Sequence, residues 1–171
     1  LAHQMMHRWG GWIGFTDGGA TSAALVAHDG SRHWSYLLDT NGSVLYGNHW
    51  QNNNDGTFTS VEPTNLSQAG LGRIASPLDL YLMGLIDESN VPDMLLIQNP
   101  AIDNSRTPQI NDTISGTAAT ISINQIISAN GQRTPAAANA RKNFKTAFIY
   151  LTRPQTFPDL GILGIEAIKN A

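Results

Sequence analysis

The sequence contains no cysteine, which excludes disulfide bonds and cysteine-ligated zinc. Charged residues are also scarce, at 13% of the chain, where about a quarter is usual for soluble proteins. The formal net charge is −3 and no basic stripe is present, so we expect no nucleic-acid partner. No apolar run approaches the length of a transmembrane helix, so we expect no membrane insertion.

Uncharged polar residues (Asn, Ser, Thr, Gly and Gln) supply most of the polarity instead. This composition favours a loop-rich, β-containing protein that is secreted or periplasmic. A length of 171 residues is enough for a sizeable core, and we expect one domain over residues 1–171. Zinc hydrolases place strands before their active-site helix, whereas here a helix is predicted from Leu1. We therefore expect this chain to be a fragment that lacks upstream strands.

The strongest chemical signal is the pair His3 and His7 near the start of the chain. Histidines four apart share one face of a helix and can bind one ion. The pattern is HExxH of the zinc hydrolases, with Gln4 where the catalytic glutamate stands. That glutamate accepts a proton from the attacking water, and glutamine has no basic oxygen at neutral pH. The motif therefore predicts a zinc site without its general base, although histidines at this spacing also occur on ordinary helices.

A hydrolytic zinc site needs a third protein ligand and one open position. The metzincin pattern HExxHxxGxxH is not completed, because Ile13 occupies the slot of the third histidine. Asp79 and His33 are the best candidates for the third ligand, with His28 and His49 behind them.

Each of these candidates also has an ordinary structural interpretation. Asp79 follows Ser76 by three residues at a predicted helix start, which is the spacing of a capping box. His33 begins a predicted strand, where a histidine can bind a metal, stabilise an oxyanion or bond to a loop carbonyl. Tyr81 is a candidate oxyanion donor, but it falls on the apolar face of its helix, which favours core packing.

The pattern of apolar residues and turns predicts an α+β fold with two helices packed near a twisted, mainly antiparallel sheet. We expect a meander of hairpins over residues 22–62, with turns at Asp29-Gly30, Asn41-Gly42 and Asp55-Gly56. The other predicted elements are a helix over 1–9, a strand over 12–15, a helix over 76–85, a strand over 94–97, a polar connection over 99–119, a helix from Ser122 to Gly131, a strand over 146–151 and a helix over 158–171.

Four segments together resemble one family. AHQMMHRWG, HWSYLLDTNGSVLYGNHWQNNNDGTFTSVEP, SPLDLYLMGL and RKNFKTAFIYLTRP are similar to segments of a group of bacterial, exported zinc metalloproteases. The family pattern is a HELGHRW helix, an HWS strand, a polar DGTF hairpin and a SPLDLYLMGL helix. The resemblance implies a zincin-like fold, with His3 and His7 as zinc ligands and His33 and Asp79 in the site. Gln4 departs from the pattern at the catalytic glutamate.

The sequence therefore predicts a zinc-dependent metallohydrolase of the metallopeptidase type that is inactive or attenuated because of Gln4. Its cofactor would be Zn²⁺, and its substrate a peptide or protein. Two alternatives stay open: a non-catalytic module that binds metal or peptide, and a promiscuous metal-dependent esterase or phosphoesterase. An incidental HxxxH in a structural β-rich domain would bind no stoichiometric zinc.

Overall fold

The computed structural model describes residues 2–27, 29–64, 73–101 and 107–143. Contacts divide the chain into two units, residues 1–140 and 141–171, and every element described below lies in the first. These elements are α1 (Ala2–Met6), β1 (Phe15–Asp17), β2 (Ala20–Ser22), β3 (Trp34–Asp39), β4 (Tyr46–Asn48), β5 (Trp50–Asn52), β6 (Thr57–Ser60), α2 (Pro77–Met83), β7 (Met94–Gln98), β8 (Thr113–Ser115), β9 (Thr117–Ile121) and α3 (Ile123–Asn130).

The predicted α+β class is confirmed, but the described strands form three sheets rather than one. The sheets have the orders β1-β2, β4-β3-β7-β9 and β5-β6-β8. Every pairing is antiparallel except that of β3 with β4, which is parallel. The chain is thus an assembly of short strands held by loops, as its composition predicts.

The predicted hairpin at Asn41-Gly42 is wrong. Both residues have positive φ, as a tight turn requires, but the chain turns again over residues 43–46. There the Tyr46 N–H donates to the Ser43 carbonyl oxygen at 2.9 Å, and Tyr46 has a φ of 75°. Strand β4 therefore runs parallel to β3. Only this second turn distinguishes the path from a hairpin. It requires Tyr46 to adopt a left-handed backbone conformation, which is rare for tyrosine and has no signature in the sequence.

Two strands were missed in the predicted polar connection over residues 99–119. Strand β8 lies there and β9 begins there, and each buries one large apolar side chain, Ile114 and Ile121 respectively. The rest of each strand is largely exposed, so it shows no apolar–polar alternation. Strand β5 was missed for a similar reason, since it buries Trp50 and exposes Gln51 and Asn52.

The two helix starts predicted at Ser76 and Ser122 are confirmed, and each has a capping box. Ser76 and Asp79 cap α2 reciprocally, and Ser122 and Gln125 cap α3 in the same way. Helix α2 ends at Gly84 in the left-handed conformation expected of a C-terminal glycine. These caps fix where α2 begins, and therefore the position of Asp79.

The core contains residues of all three sheets and all three described helices. The largest fully buried apolar side chains are Trp34, Phe15, Phe58, Leu25, Leu38, Leu45, Leu78, Leu96, Ile97, Ile121 and Ile126. From the short α1 only Met6 is buried, and it anchors that helix to the core. No helix in the described segments is long and apolar enough to cross a membrane. The strand predicted over 146–151, the helix predicted over 158–171 and His28 lie outside the described residues.

Candidate metal centre

Three histidines converge on one point. His3 lies in α1, His7 lies in the turn that follows it, and His33 immediately precedes β3. The Nε2 atom of His3 lies 3.3 Å from Nε2 of His7 and 3.0 Å from Nε2 of His33. Each pair of ring centroids is 4.9 Å apart. Of the two best candidates for the third ligand, the structure brings His33 into this group.

The spacing of these nitrogens fits a tetrahedral zinc site. A Zn–N bond of about 2.0–2.1 Å and tetrahedral angles place two ligand nitrogens about 3.3 Å apart. One ligand atom from each of the three histidines lies within 4.8 Å of the others. Three imidazoles leave one tetrahedral position for water or substrate, which is the arrangement of a catalytic rather than a structural zinc site.

The protonation of the rings also favours metal binding. The Nδ1 atom of His3 lies 2.8 Å from the carbonyl oxygen of Val44, which can only accept, so Nδ1 carries the proton. Nε2 of neutral His3 therefore presents its lone pair to the centre. Burial, followed by repulsion from His3 and His7, lowers the pKa of His33 and favours its neutral, metal-binding form.

Two glycines that follow α1, Gly10 and Gly11, allow other segments of the chain to pack closely against this part of the backbone. A Cβ atom on Gly11 would lie 1.8 Å from the carbonyl oxygen of Arg32, the residue before His33. A Cβ atom on Gly10 would lie 2.4 Å from Cδ1 of Leu45. Gly11 therefore permits the close approach that joins His3 and His7 to His33, and Gly10 permits the close approach of Leu45.

Replacing Gly11 with alanine is expected to lower the free energy of unfolding by about 2–4 kcal/mol and to weaken zinc binding. The new methyl group meets the Arg32 backbone, and the φ of 77° is strained for alanine. Gly56→Ala is the matched control, because Gly56 has a φ of 86° with nothing near its missing Cβ. Urea denaturation and zinc titration of both variants measure the difference. Equal effects would show that the close approach to Arg32 is unimportant.

The structure does not bring Asp79 into the histidine group. The side chain is fully buried, and its Oδ1 accepts a hydrogen bond from Trp34 Nε1 at 2.8 Å. Oδ2 accepts from Ser43 Oγ at 2.6 Å, from Ser76 N at 2.7 Å and from Ser76 Oγ at 2.8 Å. The two oxygens of Asp79 thus accept four hydrogen bonds. Asp79 acts as the acid of the α2 capping box, which was the alternative to its being the third metal ligand.

Asp79 nonetheless positions the histidines through its partners. Trp34 follows His33 directly, and Ser43 precedes Val44, whose carbonyl oxygen accepts the His3 Nδ1–H. The single carboxylate thus ties together the two chain segments that hold His33 and orient His3. Partners that orient metal-binding histidines commonly matter almost as much as the ligands themselves.

The structure places Tyr81 in the core and Tyr46 beside the histidines. Tyr81 is 4% exposed, and its hydroxyl accepts a hydrogen bond from the backbone N–H of Arg133 at 3.4 Å. The ring centroid of Tyr46 lies 4.4 Å from that of His33 and 5.1 Å from that of His3. Sequence reasoning missed Tyr46, because only the unexpected second turn over residues 43–46 brings its ring there.

Two further residues singled out from the sequence are Gln4, which is adjacent to His3 in the chain, and His49, which lies outside the histidine group. Gln4 is exposed on α1, next to His3 in the chain. His49, the lower-ranked ligand candidate, is half-buried, and its Nδ1 lies 3.2 Å from Oδ1 of Asp39, outside the histidine group. A cavity of about 500 Å³ is lined by residues of α2 and β7, and none of its lining residues is a histidine.

No protein-family model, curated protein or solved structure matches this chain.

Proposed function

We propose that the protein is a zinc-dependent hydrolase of the metallopeptidase type, attenuated by glutamine at position 4. The observation that carries the proposal is the convergence of the three histidine Nε2 atoms at zinc-ligand spacing. Among first-row metals, imidazole ligands suit zinc well, and a three-histidine set leaves room for a substrate oxygen. A Zn²⁺ ion bound there would polarise the substrate carbonyl and make a water molecule more acidic.

The chain's own residues supply the other roles. His3, His7 and His33 would hold the ion, with His3 fixed by its hydrogen bond to Val44. Gln4 would hold the attacking water without accepting its proton, because a glutamine oxygen is not basic at neutral pH. Activated esters and phosphoesters have leaving groups that need no protonation, so their slow hydrolysis is the activity we expect of this chain. A peptide or protein is the proposed natural substrate, and secretion or the periplasm the proposed location.

The second candidate function is a non-catalytic module that binds metal or peptide, and Gln4 is the feature that favours it. The two candidates differ in what happens when glutamate is restored. A hydrolase that lacks only its base regains peptide cleavage in the Gln4→Glu variant, whereas a module without a productive substrate cleft gains nothing. The proposal is therefore tested by measuring zinc-dependent peptide cleavage by the Gln4→Glu variant, with the cleavage products detected by mass spectrometry.

A further inference from the structure

An arginine and a tryptophan form an exposed pair beside the histidine centre. The Arg32 guanidinium carbon lies 3.3 Å from the centroid of the Trp12 ring. The indole N–H of Trp12 donates to the carbonyl oxygen of His7 at 2.7 Å, and Arg32 directly precedes His33. The Arg32–Trp12 pair is therefore attached to two of the three histidines, to His7 by this hydrogen bond and to His33 by the peptide bond.

The geometry of this pair is restrained before any ligand binds. Arg32 has a φ of 59°, which a residue other than glycine rarely adopts, and its carbonyl oxygen lies against Gly11. Stacking on the indole further limits the rotamers of the long side chain. A guanidinium held in this way loses less conformational entropy on binding than a free surface arginine does.

The charge of Arg32 is not neutralised within the described part of the chain. No carboxylate of the described residues lies within 4.0 Å of its guanidinium, which stacks on the Trp12 ring. The acidic residue nearest in sequence, Asp29, accepts a hydrogen bond from Ser31 N at 2.8 Å. In a chain of net charge −3, this is a cation available to an external anion.

The pair also borders a cavity large enough for a side chain. The cavity has a volume of about 460 Å³, and both Trp12 and Arg32 line it. Ile13 and Val26 contribute apolar surface to the same wall. The lining also includes the polar side chains Thr21, Ser22 and Asn130. A cavity with an apolar wall and one cation at its edge suits the aliphatic stem and terminal carboxylate of a glutamate side chain.

We propose that Arg32, held against Trp12, forms a subsite for a carboxylate side chain of a peptide substrate bound at the histidine centre. The inference rests on the proposed function, which makes the histidines the reaction centre. It assigns a preference for acidic peptides over neutral ones of the same shape. Arg32 is thus a specificity-determining residue.

The test uses the indole N–H resonance of Trp12, assigned by its loss in Trp12→Phe, in an NMR titration of the full chain. The probes are a capped pentapeptide with a central glutamate and its glutamine counterpart. We expect the glutamate peptide to bind about fivefold more tightly at low salt, as an exposed ion pair permits, and salt should reduce the preference. Equal binding of the two peptides would overturn the proposal.

Three variants sharpen the result. Arg32→Gln should abolish the preference, while Arg32→Lys should keep part of it through charge alone. Arg8→Gln is the matched control: Arg8 is also exposed, and its guanidinium carbon lies 5.8 Å from the Trp9 ring centroid. Loss of the preference in Arg8→Gln to the same extent would show that general positive charge, rather than the subsite, is responsible.

Titrations with and without zinc separate this inference from the proposed function. An Arg32-dependent preference in a protein that binds no zinc would support the subsite while refuting the hydrolase. Normal zinc binding with no preference would refute the subsite alone. Zinc content of Arg32→Gln is measured in parallel, so that a displaced His33 is not mistaken for a lost subsite.

Discussion

Gln4→Glu is expected to raise the rate of zinc-dependent peptide hydrolysis by about 10²- to 10⁴-fold, the usual contribution of a general base. Position 4 follows His3 directly on α1. Under the proposed function, a carboxylate at this position would accept the proton of a water at the centre. Because Gln4 is exposed, the substitution removes no packing contact from the core and should leave folding unchanged. Zinc affinity should change little, since neither side chain serves as a ligand.

The matched controls isolate the role of the carboxylate. Gln4→Met preserves size without a polar group and should be no faster than the parent, because it can neither accept the proton of the attacking water nor hold that water. The double variant Gln4→Glu, His7→Ala should lose the gain, because the activity depends on the metal centre. The rate is best measured as kcat/KM on a quenched-fluorescence peptide library. A properly folded, zinc-loaded Gln4→Glu variant with no gain would favour the non-catalytic module.

Asp79→Asn is expected to lower the free energy of unfolding by about 2–4 kcal/mol, because it breaks a buried, hydrogen-bonded carboxylate network. The amide nitrogen cannot accept a hydrogen bond, so at least one of the four donors loses its acceptor. Zinc affinity should fall about 10- to 100-fold as Trp34 and Ser43 shift, a range typical of residues that position metal ligands.

The same variant tests whether Asp79 is itself a ligand, as one reading of the sequence holds. If Asp79 positions the site, urea denaturation of the zinc-free protein already shows the loss of stability. If Asp79 is a ligand, the zinc-free variant keeps the stability of the parent and only zinc binding suffers. Asp93→Asn is the control, since Asp93 is exposed and should change neither quantity.

Local sequence signals predict part of this fold well. The capping boxes at Ser76 and Ser122 encode both helix starts through short-range hydrogen bonds, and the structure confirms them. The buried strands β3 and β7 follow from dense apolar residues. By contrast, β8 and β9 are held by pairing with distant strands and bury few side chains, so nothing local identifies them.

The candidate site shows the same division. The spacing of His3 and His7 places them together from sequence alone, whereas the choice between His33 and Asp79 depends on tertiary structure. The close approach at Gly11 allows His33 to reach His3 and His7. The carboxylate oxygens of Asp79 instead accept hydrogen bonds from Trp34, Ser43 and Ser76. Tyr46 reaches the centre only because the backbone reverses a second time.

The central claim is that His3, His7 and His33 together hold one zinc ion, and metal content tests it most directly. Elemental mass spectrometry of the purified protein should give about one zinc per chain, as a three-histidine site predicts. His33→Ala should lose the metal, whereas His49→Ala should retain it, because His49 lies outside the group. No stoichiometric zinc in the parent, or equal zinc in the two variants, would contradict the account and leave a cluster of hydrogen-bonded histidines.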